Sequence, residues 1–293
     1  MTWTYLNKEF LRREEVKISP FDRGFLFGDG VYEVIPVYEE KPFLLEDHLG
    51  RLGRSLNSTG IKNPQKWNDI PGIIHELVKK NTFSNQSVYV QVTRGEDSIR
   101  NHIPDPKVQP TLFITSSELK VNPYRLDPER KGLEVKTLED PRWNRCDIKA
   151  VTLLSNIMAM NEANREGKDG VIFCTNGEVT EGAASNIFAV FDNQVITTPE
   201  SNQILSGITR KHVISLLNNK GIEVQERVLK LEGIYKAEEV WVTSSTQEIQ
   251  PVTKIDGREL DIKKSYKDCL WSELLTSYFS PVSYTHLTLP TIA

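Results

Sequence analysis

"GVIFCTNGEVTEG", residues 170–182, sets two apolar stretches on either side of Asn176-Gly177. Asn-Gly accepts positive φ at both central positions of a two-residue turn, so the stretch predicts a hairpin and two adjacent antiparallel strands. Parallel neighbours instead need crossovers of a dozen or more residues. Working outward, "SNIFAVFDNQVITTP" (185–199) continues the sheet. "SGITRKHVISLLNNKGI" (206–222) enters a helix near Thr209 and leaves it at Gly221. "EVWVTSSTQEIQPVTKIDG" (239–257) reads as two more strands, and a helix carrying Tyr266, Leu270, Leu274 and Tyr278 closes the region. On the other side lie a strand at 132–140 and a helix from about Thr152 to Glu166, ended by Gly167.

The first part of the chain repeats this mixture. "WTYLNKEFL" (3–11) is a hairpin signal, and "GVYEVIPVY" (30–38) is a strand with both faces largely buried. Leu45, Leu49, Leu52 and Leu56 form one helical stripe, and a second helix runs roughly from Trp67 to Lys80. Strands follow at 87–95 and 110–117. Hairpins interspersed with helices predict two α+β domains. The expected division is a small N-terminal domain over 1–117, a linker rich in Pro and charge over 118–130, and a larger cofactor-binding domain over 131–279. The tail "SPVSYTHLTLPTIA" (280–293) has no usable period, resembles translated adaptor sequence, and is set aside.

The 293 residues carry 38% hydrophobic and 26% charged side chains, enough apolar material for real cores. A net charge of −4 with no basic block gives nucleic-acid binding no support. No apolar run is long enough to span a membrane, and no secretory leader is visible. Cys146, Cys174 and Cys269 are odd in number and far apart, which fits reduced thiols in a cytoplasmic setting better than disulfides or zinc. The histidines show no metal-ligand spacing, so no metal is expected.

Three features could carry chemistry together. Lys149 sits at the edge of the apolar segment that continues through Ala150, Val151, Leu153 and Leu154. Read alone, it is a lysine whose stem lies on apolar surface while its head reaches water. A desolvated amine, however, is also what condensation with a carbonyl requires. Glu181 precedes the small turn Gly182-Ala183-Ala184, where backbone could approach a flat ligand and a carboxylate could hold a pyridine nitrogen protonated. Gly207, Ile208 and Thr209 open a helix, a natural phosphate site, and Arg51 could add a charged partner. The hydroxyls of "TSST" (243–246) follow a strand. Each has a bland explanation as a cap, a solvated charge or a turn. Together they are what pyridoxal 5′-phosphate (PLP) needs.

"FDRGFLFGDGVYEV" (21–34), "HLGRL" (48–52), "RCDIKAVTLLSN" (145–156), "VTEGAASNIF" (179–188), "LSGITR" (205–210) and "VTSSTQEI" (242–249) resemble, in the same order and at similar separations, the motifs of the class IV, fold-type IV PLP aminotransferases. Within that group the similarity is closest to the D-amino-acid aminotransferases, and it covers residues 3–278. The resemblance implies a two-domain fold-type IV enzyme of mixed sheets and hairpins with packed helices. It makes Lys149 the Schiff-base lysine and general base, and Glu181 the partner of the ring nitrogen. Arg51, the amides of Ile208 and Thr209, and the Ser245 hydroxyl would hold the phosphate. Leu205 would pack on the ring, and Tyr32 would lie beside cofactor and substrate.

"RGEDSIRNHIP" (94–104) bears on substrate. Arg100 and His102 match the Arg-x-His pair with which the D-specific members trap a carboxylate, and in that family the pair reaches the neighbouring subunit's site, implying a homodimer. A D-amino-acid transaminase using pyruvate or 2-oxoglutarate, with ping-pong kinetics, is the expectation. Two departures stand against it. Ala183 and Ala184 replace a serine run after the glutamate, and Pro36 stands where D-specific members often carry lysine. Proline cannot donate to a ladder, which hints at an edge or bulge. The Ala183-Ala184 pair keeps a branched-chain L-amino-acid aminotransferase, an aminodeoxychorismate lyase and an (R)-amine transaminase open. A non-catalytic PLP-binding protein would need neither Lys149 nor Glu181.

Overall fold

Residues 2–279 are described by the structure, a computed structural model, and the tail set aside above lies outside them. The described residues form two compact units, one of residues 2–121 with 146–154 and one of 122–145 with 155–279. Both mix strands and helices, as the hairpin signals require. Among the described residues no helix is long and apolar enough to cross a membrane.

The first unit is a six-stranded sheet with helices on it. Its strands are β1 (Trp3–Leu6), β2 (Glu9–Arg12), β3 (Gly30–Tyr38), β4 (Lys41–Pro42), β5 (Asn85–Thr93) and β6 (Thr111–Glu118), in the order β2-β1-β6-β5-β3-β4. A short helix, α1 (Arg23–Phe27), precedes β3, while α2 (Leu45–Thr59) and α3 (Ile70–Lys80) follow β4. Leu52 and Leu56 of α2 and Ile70, Ile74 and Leu77 of α3 bury against Val31, Ile35, Val88, Val90 and Ile114 of the sheet. Full burial of such side chains is worth about 1.5–3 kcal/mol each. This cluster is what fixes α2 on β3.

Pro36 pairs with Ser87 of β5, and its carbonyl accepts from Phe43 N on the opposite side. Amide and carbonyl of a strand residue point the same way, so the missing donor faces β4 and not the β5 ladder. Since β4 is a two-residue edge, proline is tolerated where the sequence hinted at an edge.

Residues 146–154 join the first unit although their neighbours in sequence belong to the second. The reason is backbone pairing. Tyr32 N donates to Lys149 O (2.9 Å) and Val151 N to Gly30 O (3.0 Å), laying the segment antiparallel along the start of β3. Ile148 and Ala150 pack into the first core. Lys149 lies between two inward-facing residues, and alternation turns it to the other face.

In the second unit α4 (Pro123–Leu126), β7 (Leu133–Glu139) and α5 (Leu154–Arg165) precede the hairpin of β8 (Gly170–Thr175) and β9 (Glu178–Gly182). Asn176 and Gly177 have φ of 52° and 75°, the two positive values the Asn-Gly pair predicts. Then come β10 (Asn186–Phe191), β11 (Gln194–Thr197), α6 (Ile208–Asn219), β12 (Val224–Glu226), β13 (Leu229–Lys230), α7 (Leu231–Ile234), β14 (Glu239–Ser244), β15 (Glu248–Ile255), β16 (Arg258–Glu259) and α8 (Leu270–Thr276). The sheet runs β12-β11-β10-β14-β15-β7-β8-β9-β13, with β16 on β15. It is mixed: β7 is parallel to β8 and β15, whereas β8–β9, β10–β11, β10–β14 and β14–β15 are antiparallel.

The stretch expected as a linker contains α4. Asn122 caps it by accepting from Tyr124 N, and its Nδ2 donates to the carbonyls of Gln247 and Ile249. Residues 122–130 are therefore tied into the second unit.

Candidate active site

Helix α2 carries a polar stripe beside its apolar one. His48, Arg51 and Ser55, spaced by three and four, are all buried and face β3 and the 146–154 segment. Across from them Glu33, the one acid in "GVYEVIPVY", is fully buried. Arg51 grips it bidentately, Nε to Oε1 at 2.6 Å and Nη2 to Oε2 at 2.9 Å. His48 Nδ1 lies 2.8 Å from the same Oε2. Burial pushes the Glu33 carboxyl up, but the Arg51 charge and the hydrogen bonds of Arg51 and His48 outweigh it and hold it at about 2. Burial lowers the His48 value, and the cations of Arg51 and Lys149 add to that against the opposing pull of Glu33. The imidazole is thus neutral and donates through Nδ1–H.

This ion pair fixes the guanidinium plane of Arg51, since a planar fork held at two nitrogens cannot rotate. Lys149 is brought to the same place. Its main-chain N donates to Ser55 Oγ (3.3 Å), and its Nζ stands 4.5 Å from the centre of the Tyr32 ring. Tyr32 also contacts Tyr89, with ring centroids 5.6 Å apart. Lys149, Tyr32 and Arg51, three of the residues singled out from sequence, are therefore neighbours. Glu33 and His48 complete the group and had escaped the sequence reading. The signal was there: a glutamate in a doubly buried strand must have a partner.

In the second unit Glu181, at the end of β9, is buried and bound from three directions. Arg142 Nη1 donates to Oε1 (2.6 Å), while Leu205 N (3.0 Å) and Asn186 Nδ2 (3.2 Å) donate to Oε2. Arg142 is itself clamped by Asp140, at 2.7 Å from Nη2 to Oδ2, and lies over the Phe173 ring at 4.6 Å. Asn186 also donates to Leu205 O (2.9 Å), pairs with Thr243 in the β10–β14 ladder, and packs on Gly207. A Cβ on Gly207 would stand 1.9 Å from Asn186 Oδ1, so only glycine lets the α6 N-terminus come this close. Asn186 thereby gathers Glu181, Leu205, the Gly207-Ile208-Thr209 helix start and the end of β14 into one place.

Whether these residues suit a phosphorylated pyridine can be judged from the donor set. No side chain caps α6, whose first turn contains Ile208 and Thr209. Its amides and dipole suit a phosphate. Thr243 Oγ1 is buried with no partner, a hydroxyl waiting for an acceptor. Ser245 is half-buried in the β14–β15 turn. A carboxylate, a helix N-terminus and hydroxyls fit the group. Of the departures, Ala183 is buried among Ala159, Ala163, Val171 and Phe173, and Ala184 is exposed. The first is a packing residue, so losing a hydroxyl there is compatible with a tight core.

Arg100 and His102 lie in the β5–β6 loop, both exposed. They are held together by Phe27 of α1. The Arg100 guanidinium is 4.8 Å from the ring centre, and the His102 ring is 5.6 Å from it.

Residues 30–255 match the family model described as amino-transferase class IV. The D-alanine aminotransferase of Staphylococcus haemolyticus is 36% identical over 260 residues, covering 89% of this chain and 91% of that protein. That of Listeria monocytogenes serotype 1/2a is 37% identical over 257 residues, covering 86% and 87%. Among solved structures, a branched-chain aminotransferase from the archaeon Thermoproteus uzoniensis, crystallised with norvaline, superposes with a TM-score of 0.84 at 26% identity, covering 97% of this chain and 96% of that one.

Proposed function

Since the chain belongs to amino-transferase class IV, whose members use pyridoxal 5′-phosphate, we propose that it moves the amino group of D-amino acids resembling D-alanine to a 2-keto acid such as 2-oxoglutarate or pyruvate. The observation that carries the D-specific reading is the pairing of Arg100 with His102 on one loop, braced by Phe27. A guanidinium beside an imidazole, with the phenol of Tyr32 contributed at the cofactor, suits an α-carboxylate. The D-alanine aminotransferases that this chain resembles support the same substrate class.

When bound, the cofactor supplies a carbonyl carbon for amine exchange and a protonated ring that accepts the Cα electron pair. Lys149 Nζ would be the base that takes the Cα proton of the bound amino acid. Glu181, kept in place by Arg142, Asn186 and Leu205 N, keeps the ring nitrogen protonated. The amides of Ile208 and Thr209 and the Ser245 hydroxyl would hold the phosphate, with Thr243 Oγ1 a further donor, and the family resemblance assigns Arg51 to the same group. Leu205 would pack on the ring. Two half-reactions on one site give ping-pong kinetics.

The protein acts as a homodimer in which Arg100 and His102 of each protomer serve the partner's site. The exposure of Phe25 (76%), Ile99 (64%) and Ile103 (78%) around that loop supports a covered surface. Mixing Lys149→Ala with Arg100→Ala subunits tests this, because one site of each mixed dimer regains both residues. Recovered activity is the expected result. The absence of disulfides in the sequence pattern supports a reducing, cytoplasmic setting.

A second reading, a branched-chain L-amino-acid aminotransferase, is favoured by Pro36, by Ala183-Ala184 and by the Thermoproteus enzyme's similarity. Paired D- and L-donors, with (R)-1-phenylethylamine beside them, separate the two. Turnover confined to D-donors is expected, and turnover confined to L-leucine would replace the first reading with the second.

A further inference from the structure

The loop that carries Arg100 and His102 is built around a cation that belongs to another element. Its legs meet at a neck: a Cβ on Gly95, whose φ is +109°, would lie 1.8 Å from Gln109 O. Above the neck, the buried Asp97 carboxylate accepts from Ser98 N (2.8 Å) and from Asp105 N (3.2 Å), bracketing residues 98–105. Into this bracket reaches Arg23 of α1, only 3% exposed. Its main-chain N donates to Gly95 O at the neck (2.9 Å). Its guanidinium then spreads in three directions: Nε to Asp29 Oδ2 (2.9 Å), Nη1 to Asn101 O (2.6 Å) and Nη2 to His102 O (3.0 Å). Asp97 Oδ2 stands 3.5 Å from Nη1.

Burying a guanidinium is costly unless charge and hydrogen bonds compensate it. Here two carboxylates balance the charge, and the crest of the loop supplies the remaining acceptors. Asp29 is in turn held by Arg94, with Nε to Oδ2 at 2.7 Å and Nη2 to Oδ1 at 3.0 Å. One more contact links the pin to the recognition residues. The Phe27 ring has the Arg23 guanidinium 4.8 Å from its centre and that of Arg100 at the same distance, with the His102 ring alongside. Without such a brace, the exposed residues 98–105 would sample many conformations, and ordering them costs conformational entropy.

We propose that Arg23 is a positioning residue for substrate recognition: its buried guanidinium, bonded to the carbonyls of Asn101 and His102, sets the loop so that Arg100 and His102 stand ready for the substrate carboxylate. The proposal rests on reading Arg100 and His102 as the clamp. It requires arginine and not only positive charge, because three acceptors in three directions match a planar fork and not a single ammonium.

The test uses the PLP-loaded full-length enzyme and four variants: Arg23→Lys, Arg23→Gln, Arg100→Ala and the double variant Arg23→Lys/Arg100→Ala. Arg23→Lys keeps the charge between Asp29 and Asp97, so it remains measurable where Arg23→Gln fails to fold. Two readouts are needed, the KM for D-alanine against kcat, and amide hydrogen exchange over residues 98–105. Arg23→Lys is expected to raise KM about tenfold, with a smaller fall in kcat, the scale of one or two lost charge-assisted hydrogen bonds. Exchange in 98–105 should quicken by a similar factor. The double variant should show the KM of Arg100→Ala alone, since both act through one contact.

Should Arg100→Ala raise KM while Arg23→Lys leaves either readout unmoved, Arg23 merely braces a corner and the inference is overturned with the clamp intact. Additive effects in the double variant overturn it too. If Arg100→Ala does not alter KM, the clamp falls first and the role of Arg23 falls with it.

Discussion

Glu33→Gln probes the buried pair that fixes Arg51. The substitution keeps size and shape but removes the charge that a fully buried guanidinium faces at 2.6 Å. The carboxyl is lowered from 4.5 to about 2. At about 1.36 kcal/mol per pKa unit, that difference corresponds to roughly 3 kcal/mol of folding free energy at neutral pH. Glu33 is 0% exposed, so solvent screening takes little from this figure. Breaking a buried pair from one side costs about 3–5 kcal/mol in general, which agrees. The pH window follows from the sign of the shift. A depressed carboxyl contributes stability fully above the unfolded value of 4.5, and loses it as pH falls toward about 2. Urea unfolding of the apo-protein, wild type against Glu33→Gln, should therefore show a deficit of about 3 kcal/mol at pH 7 that shrinks steadily below pH ~4.5. Taking the difference between the two proteins removes the other acids that titrate in the same range. A deficit under about 1 kcal/mol at pH 7, or one equally large at pH ~2.5, would refute the claim that Glu33 is held ionised by Arg51.

Further outcomes concern the cofactor. Lys149→Ala should lower transamination by about a thousandfold or more, within the range of a lost general base with covalent function. Borohydride should then no longer fix PLP to the chain, as intact mass would report. Gly207→Ala forces a methyl to within 1.9 Å of Asn186 Oδ1. PLP affinity, followed by titrating the apo-protein, should weaken about tenfold or more as Asn186 and Glu181 shift together. An unchanged dissociation constant would remove Asn186 from the centre of that arrangement.

Much of the architecture was legible because it rests on local chemistry. Asn176-Gly177 requires positive φ at both positions, and nothing distant competes with that requirement. The Leu45–Leu56 stripe and the alternation of "GVYEVIPVY" were visible for similar reasons. The placement of residues 146–154 was not legible. It depends on two hydrogen bonds to β3, formed across more than a hundred residues of sequence, and no local pattern encodes such a pairing. Lys149 stands at the edge of an apolar segment for that reason: Ile148 and Ala150 face a core formed by residues distant in sequence. The candidate site residues picked out by motif were those with distinctive chemistry. The ones missed, Glu33, His48, Arg142 and Asn186, work by holding others. Glu33 could have been found from its burial pattern, because an acid between Val31 and Ile35 needs a cation. Asn186 could not, since its role lies in contacts with Gly207, Leu205 and Glu181 that only the fold assembles.

The central claim, transamination of D-amino acids on a PLP held by Lys149 and Glu181, is tested most directly by chiral analysis of one reaction. The purified enzyme is incubated with PLP, 2-oxoglutarate and either D- or L-alanine, and the glutamate formed is resolved by enantiomer. The account predicts D-glutamate and pyruvate in equal amounts from D-alanine, and neither from L-alanine or with Lys149→Ala. L-glutamate as the product, or glutamate formed only when an L-donor is supplied, would contradict it.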